Sequence, residues 1–147
     1  MEKEFVRARA LRDVVVSSAL TIIGIILIIM PSAVSVNIFG TCLAVPGILM
    51  LLFYKSDYMD ESSGLRFKRV IRYFPASKKA EILNWLRENP SAGNWKTSES
   101  ASGLMLDIYV GRNDDNVYVR VSEFVPYNYV PCSEWFTYDK AQVSGLL

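Results

Sequence analysis

From Val14 to Tyr54 the chain runs for 41 residues without an Asp, Glu, Lys or Arg, broken only at Pro31-Ser32. No other feature restricts the fold so strongly. Two apolar runs, Val14–Met30 and Ala33–Tyr54, are 17 and 22 residues long, and about 20 charge-free residues is the length of helix that crosses a bilayer. Within hydrocarbon every backbone polar group must be satisfied inside its own segment, so each run is expected to be helical. A cleaved signal peptide would show one shorter apolar core followed by a small-residue site. A second run following at once argues against that. The expectation is a transmembrane helical hairpin with spans 14–30 and 33–54.

Basic residues set its orientation. Arg7, Arg9 and Arg12 precede the first span, Lys55, Arg66, Lys68, Arg69 and Arg72 follow the second, and the turn carries none. The positive-inside rule then places both termini in the cytoplasm, with a bacterial inner membrane as the expected location. Ser17, Thr21 and Gly24 share one stripe of the first span, and Gly40, Ala44 and Gly47 share one of the second. An antiparallel pairing sets Gly24 by Gly40, Thr21 by Ala44 and Ser17 by Gly47, with the backbones close together. Pro46 is expected to kink or loosen the second span. Neither span holds an ionisable group, and Asn37 lies a turn from the tip, so the hairpin reads as an anchor rather than an ion or proton pathway.

The expected organisation is a basic N-terminal segment 1–13, the hairpin 14–54, a polar linker 55–64 and a small domain 65–147. Residues 55–147 carry 12 basic and 12 acidic side chains, a neutral balance that argues against nucleic acid as a partner. There is no histidine, which removes the commonest metal ligand and the usual general base. Cys42 and Cys132 fall in different environments and form no disulfide framework. Gly93, Gly103 and Gly111 match no nucleotide-binding fingerprint, and no G-x-S-x-G occurs. The chain is therefore expected to need no cofactor or metal and not to be an enzyme.

In the small domain, Leu65–Phe74 (LRFKRVIRYF) fits two patterns. As a helix it puts Phe67, Val70, Ile71 and Phe74 on one stripe and would lie on the membrane. As a strand, favoured by Gly64 before it and Pro75 after it, it puts Leu65, Phe67, Ile71 and Tyr73 on a face that Arg69 interrupts. Either way Arg66, Lys68, Arg69 and Arg72 are candidate contacts for anionic lipid headgroups, or else a solvated face. Ser77–Asn89 is a helix ended by Pro90, with Ile82, Leu83, Trp85 and Leu86 on its apolar face.

Leu104–Val110 and Val117–Val125 alternate as a β-hairpin around Arg112–Asn116. A loop at Asn113-Asp114 pairs Val110 with Val117, Ile108 with Val119, Tyr109 with Tyr118, and Asp107 with Arg120 on the outer face. Glu134–Tyr138 reads as a last strand. Tyr127, Tyr129, Trp135, Phe136 and Tyr138 either cover an open face of the sheet or form a partner-binding patch. The fold class expected is a membrane-anchored α+β protein with one main helix and a sheet of three or four mostly antiparallel strands.

These features point to a membrane-tethered module that binds another protein, as an accessory subunit of a membrane complex or as an immunity or exclusion protein. Self-association is a further expectation for its partners. An anionic-lipid-responsive surface factor is the alternative, and a small membrane-associated enzyme a more distant one.

Overall fold

In the computed structural model, residues 3–93, 95 and 103–147 are described. The chain forms two compact units, Arg7–Tyr58 and the combination of Met1–Val6 with Met59–Leu147.

The first unit is a pair of helices, α1 (Leu11–Ile29) and α2 (Val34–Phe53). Each is long and apolar enough to cross a membrane, and only 17% of each is buried inside the protein. The α1 helix starts at Leu11, three residues before the charge-free run, because Asp13 is accommodated in its first turn. A carboxylate there faces the positive end of the helix dipole, and Asp13 also accepts a hydrogen bond from the Ser56 hydroxyl. The α2 helix is continuous through Pro46. Besides Asp13, what is buried is a stripe of small residues: Ser17 and Gly24 on α1, and Gly40, Ala44 and Gly47 on α2. A Cβ on Gly24 would lie 2.5 Å from the Ala44 amide and 2.7 Å from the Gly40 carbonyl. One on Gly47 would lie 2.8 Å from the Thr21 amide and 3.0 Å from the Ser17 carbonyl. The two backbones touch where side chains are missing. The hydroxyls of Ser17 and Thr21 turn back onto the carbonyls of Asp13 and Ser17, so no polar hydrogen is left unpaired in the seam.

The second unit corrects the sheet. Among the described residues the sheet has seven strands rather than three or four: β1 (Phe5–Ala8), β2 (Asp57–Asp60), β3 (Arg66–Phe74), β4 (Leu104–Gly111), β5 (Asn116–Val125), β6 (Asn128–Pro131) and β7 (Phe136–Asp139). Their order is β1-β2-β3-β4-β5-β6, and β7 also pairs with β5. Segment 1–13 therefore holds a strand as well as basic residues, and segment 55–64, expected as a linker, holds another. The strands not expected, β1, β2 and β6, are four residues long, whereas the last strand expected at Glu134–Tyr138 runs over Phe136–Asp139. So short a run shows no alternation of its own, and its hydrogen bonds come from distant neighbours. Leu65–Phe74 is a strand from Arg66, antiparallel to β4.

The β4–β5 pairing has the expected register, with Ile108 opposite Val119, Tyr109 opposite Tyr118 and Asp107 opposite Arg120. The far edge of β5 is shared, its first half pairing with β7 and its second with β6. One face of the sheet carries Phe74, Leu104, Leu106, Ile108, Val117, Val119 and Val121. The α3 helix (Lys79–Glu88) covers it through Ile82 and Leu86, joined by Val143 and Leu146 from the C-terminal turns. Trp85 and Trp95 pack edge to face at the border of this core.

Candidate functional site

The opposite face of the sheet, expected to be outward, is also covered. Strand alternation puts Phe67 and Arg69 of β3, Asp107 and Tyr109 of β4, and Tyr118 and Arg120 of β5 on it. The Phe5 ring stacks flat on Tyr109, 4.0 Å between centroids, and meets Phe67 and Trp135 edge-on at 5.3 and 5.2 Å. In sheet order β1 is three strands from β4, about 14 Å on a flat sheet. The stacking therefore requires the sheet to curl over this face. Trp135, just ahead of β7, closes the other side.

This curl encloses a cleft of about 390 Å³ lined by Lys3, Glu4, Phe5, Tyr109, Arg120 and Trp135. Its electrostatics follow from how the charges divide. Asp107 was expected to pair with Arg120 across the strands. It is instead taken by Arg69, whose Nε donates to it at 2.7 Å and whose terminal nitrogen donates to the same oxygen. Arg69 can do this because it sits on the same face of β3, at the position that interrupted the apolar pattern. Arg120 is left to stack on the Trp135 ring, its guanidinium carbon 4.3 Å from the centroid. That contact is a cation–π interaction and consumes no hydrogen-bond donor of the guanidinium. The Arg120 Nε and the Trp135 indole nitrogen are both buried with no hydrogen-bond partner among the described residues.

Lys3 is held differently. Its ammonium donates to Asp60 at 3.0 Å and lies 4.2 Å from the Tyr118 ring centroid. Burial works to lower its pKa, but the contacts with Tyr118 and Asp60 outweigh burial and raise it. Asp60 is fully buried. Burial disfavours its charge, yet hydrogen bonds from Ser63, Lys3 and Ser62 pull its pKa down to about 2.

The other candidate residues do not converge. Of the four basic side chains on β3, Arg66 and Lys68 are exposed. Arg69 belongs to the ion pair with Asp107, and Arg72 donates to the carbonyls of Leu146 and Leu147, so two of the four are turned into the protein. The five C-terminal aromatics separate into four places, and alternation sends Trp135 to the face opposite Phe136 and Tyr138. Phe136 and Tyr138 pack against the α3 core, and the Tyr138 hydroxyl donates to the Leu86 carbonyl. Burial pushes its pKa up to about 12. Trp135 faces the cleft. Tyr129 sits against Phe124 and Tyr73, and Tyr127 stands fully exposed at the β5–β6 turn with φ 74°.

Cys132 lies near the core with its thiol 3.5 Å from the Val121 carbonyl. Burial raises its pKa, which disfavours the thiolate a nucleophile needs. Among the described residues, no three Asp, Glu or Cys side chains gather as a metal site. Lys3 and Phe5 were missed in the sequence because they lie in a segment that reads as a basic flank. The available signal was Phe5, the one aromatic ring ahead of the first helix. Comparison of the chain with protein families, with curated proteins and with solved structures finds no match.

Proposed function

We propose that the chain is a membrane-anchored, non-enzymatic recognition module. In this reading α1 and α2 span the membrane with both chain ends in the cytoplasm, most simply at a bacterial inner membrane. The α+β unit then binds another protein there, as an accessory subunit or as an immunity or exclusion protein. One observation carries the reading. The hairpin buries its small residues and presents its large apolar ones outward, with Ile29 75%, Val34 73% and Phe53 76% exposed. A soluble protein rarely leaves so large a continuous apolar surface in water. In hydrocarbon the same surface costs nothing, and the small-residue seam is the packing that lipid leaves available to two helices. The lipid-sensing alternative rests on Arg66 and Lys68 alone, since Arg69 and Arg72 are engaged within the protein.

Alkaline carbonate washing of membranes tests the anchor: the chain should stay in the pellet, and release into the supernatant would remove this reading. Affinity purification from gently solubilised membranes tests the binding role, with one protein expected in stoichiometric amount. Recovery of the chain alone would end the accessory and immunity readings.

A further inference from the structure

The cleft on the curled face of the sheet has the chemistry of a ligand site. Two residues of its lining, Arg120 and Trp135, each hold a buried N–H donor, Nε and the indole nitrogen, with no acceptor among the described residues. A buried unpaired donor carries a desolvation cost that folded proteins ordinarily remove by pairing it. The chain had a suitable acceptor in Asp107, directly across from Arg120, and that carboxylate is committed to Arg69. Lys3 is matched by Asp60, and Glu4 is exposed to solvent. Arg120, half-buried, is thus left without an ion-pair partner among the described residues. The walls beside it are the rings of Phe5, Tyr109 and Trp135, and the volume lies in the range of small-molecule pockets.

We propose that this cleft binds a single carboxylate carried on an apolar or aromatic body. The carboxylate accepts from the Arg120 guanidinium and the Trp135 indole while its body lies against the aromatic walls. A guanidinium and an indole N–H present flat donors that suit a planar carboxylate. With one cation free of an ion pair and the Glu4 carboxylate also in the lining, the cleft suits a monoanion better than a phosphate dianion. The inference rests on the recognition-module reading, for which it supplies the recognised group. The group can come from a free acid or from the side chain or end of a peptide.

The test is calorimetric titration of the full chain in neutral-detergent micelles, with empty micelles subtracted. The probes are 3-phenylpropionate, its amide, inorganic phosphate, and a short peptide ending in phenylalanine as free acid and as amide. Saturable binding of at least one carboxylate probe is expected, with the matching amide weaker by about tenfold or more. Phosphate should compete poorly. Tighter binding of the peptide acid than of the free acid identifies a peptide source, and the reverse order a small molecule. Arg120→Met should abolish binding, and Trp135→Phe, which keeps the ring and removes the N–H, should weaken it by about two- to tenfold. Because the acid–amide comparison uses the unaltered protein, the result does not depend on either variant folding. Equal binding of acid and amide, absence of saturable binding by both acids, or unchanged binding in a folded Arg120→Met protein overturns the proposal. A chain that still retrieves its protein partner while failing to bind carboxylates overturns this inference and leaves the module reading standing.

Discussion

Replacing Asp60 by Asn tests how the short strands are tied together. The Asp60 side chain is 1% exposed. Its Oδ1 accepts from the Ser62 amide at 3.3 Å and the Ser62 hydroxyl at 2.9 Å. Its Oδ2 accepts from Lys3 at 3.0 Å and the Ser63 hydroxyl at 2.8 Å. Asparagine keeps the shape and one acceptor oxygen, so the Ser62 bonds survive. The Oδ2 side becomes a donor facing two donors. A charged bond is worth about 1.5–3 kcal/mol and a neutral one about 1. With Lys3 29% exposed, the low end applies to the ion pair, for a loss of about 2–3 kcal/mol.

The pH dependence gives a second, sharper signature. The folded pKa of Asp60, about 2, lies below its ordinary 3.8. In that interval the unfolded chain binds more protons than the folded one. The stabilisation is therefore complete above about pH 4 and disappears as the pH falls toward 2. Urea unfolding of the full chain in micelles, followed by tryptophan fluorescence, measures this directly. Trp85, Trp95 and Trp135 all lie in the unit that contains Asp60, so the hairpin is silent. The gap between wild type and Asp60→Asn should be about 2–3 kcal/mol at pH 7 and should narrow toward pH 2. A gap below about 1 kcal/mol at pH 7, or parallel pH profiles from 5 to 2, would refute the reasoning.

Other substitutions probe separate layers. Arg69→Met leaves the buried Asp107 without its cation and should cost about 3 kcal/mol by urea unfolding; adding Asp107→Leu should recover much of it, and additive losses would contradict the pairing. Leu106→Ala, at a fully buried position, should cost about 2–5 kcal/mol and lower the fluorescence-detected Tm accordingly. Tyr127→Gly relieves a left-handed conformation at the two-residue Pro126-Tyr127 turn and should stabilise by about 1 kcal/mol; a lower Tm would mean that the ring contributes to folding. Gly24→Leu cannot fit against the backbone of Gly40 and Ala44, so it should open the hairpin and alter the chain's migration in SDS gels, whereas Ile22→Leu on the exposed side should not.

The sequence determined those features whose pattern is written within one continuous segment. Forty-one charge-free residues with one break suffice for two apolar helices. Small residues at a spacing of three and four place a seam on each, because that spacing returns to the same helix face. The β4–β5 register was legible as well, since a slip of one residue would turn Ile108 and Val119 away from the core. Only the tertiary structure decided the rest. Four-residue strands such as Phe5–Ala8 and Asp57–Asp60 have no signal apart from the neighbours that pair with them. The partner of Asp107 is Arg69, diagonal to it on β3, and not Arg120 directly across on β5, a choice that strand register alone does not make. The cleft exists because the sheet curls Phe5 onto Tyr109 across more than a hundred residues of chain. Local pattern records what a segment does alone, whereas the closing of one segment over another depends on where the whole chain has been led.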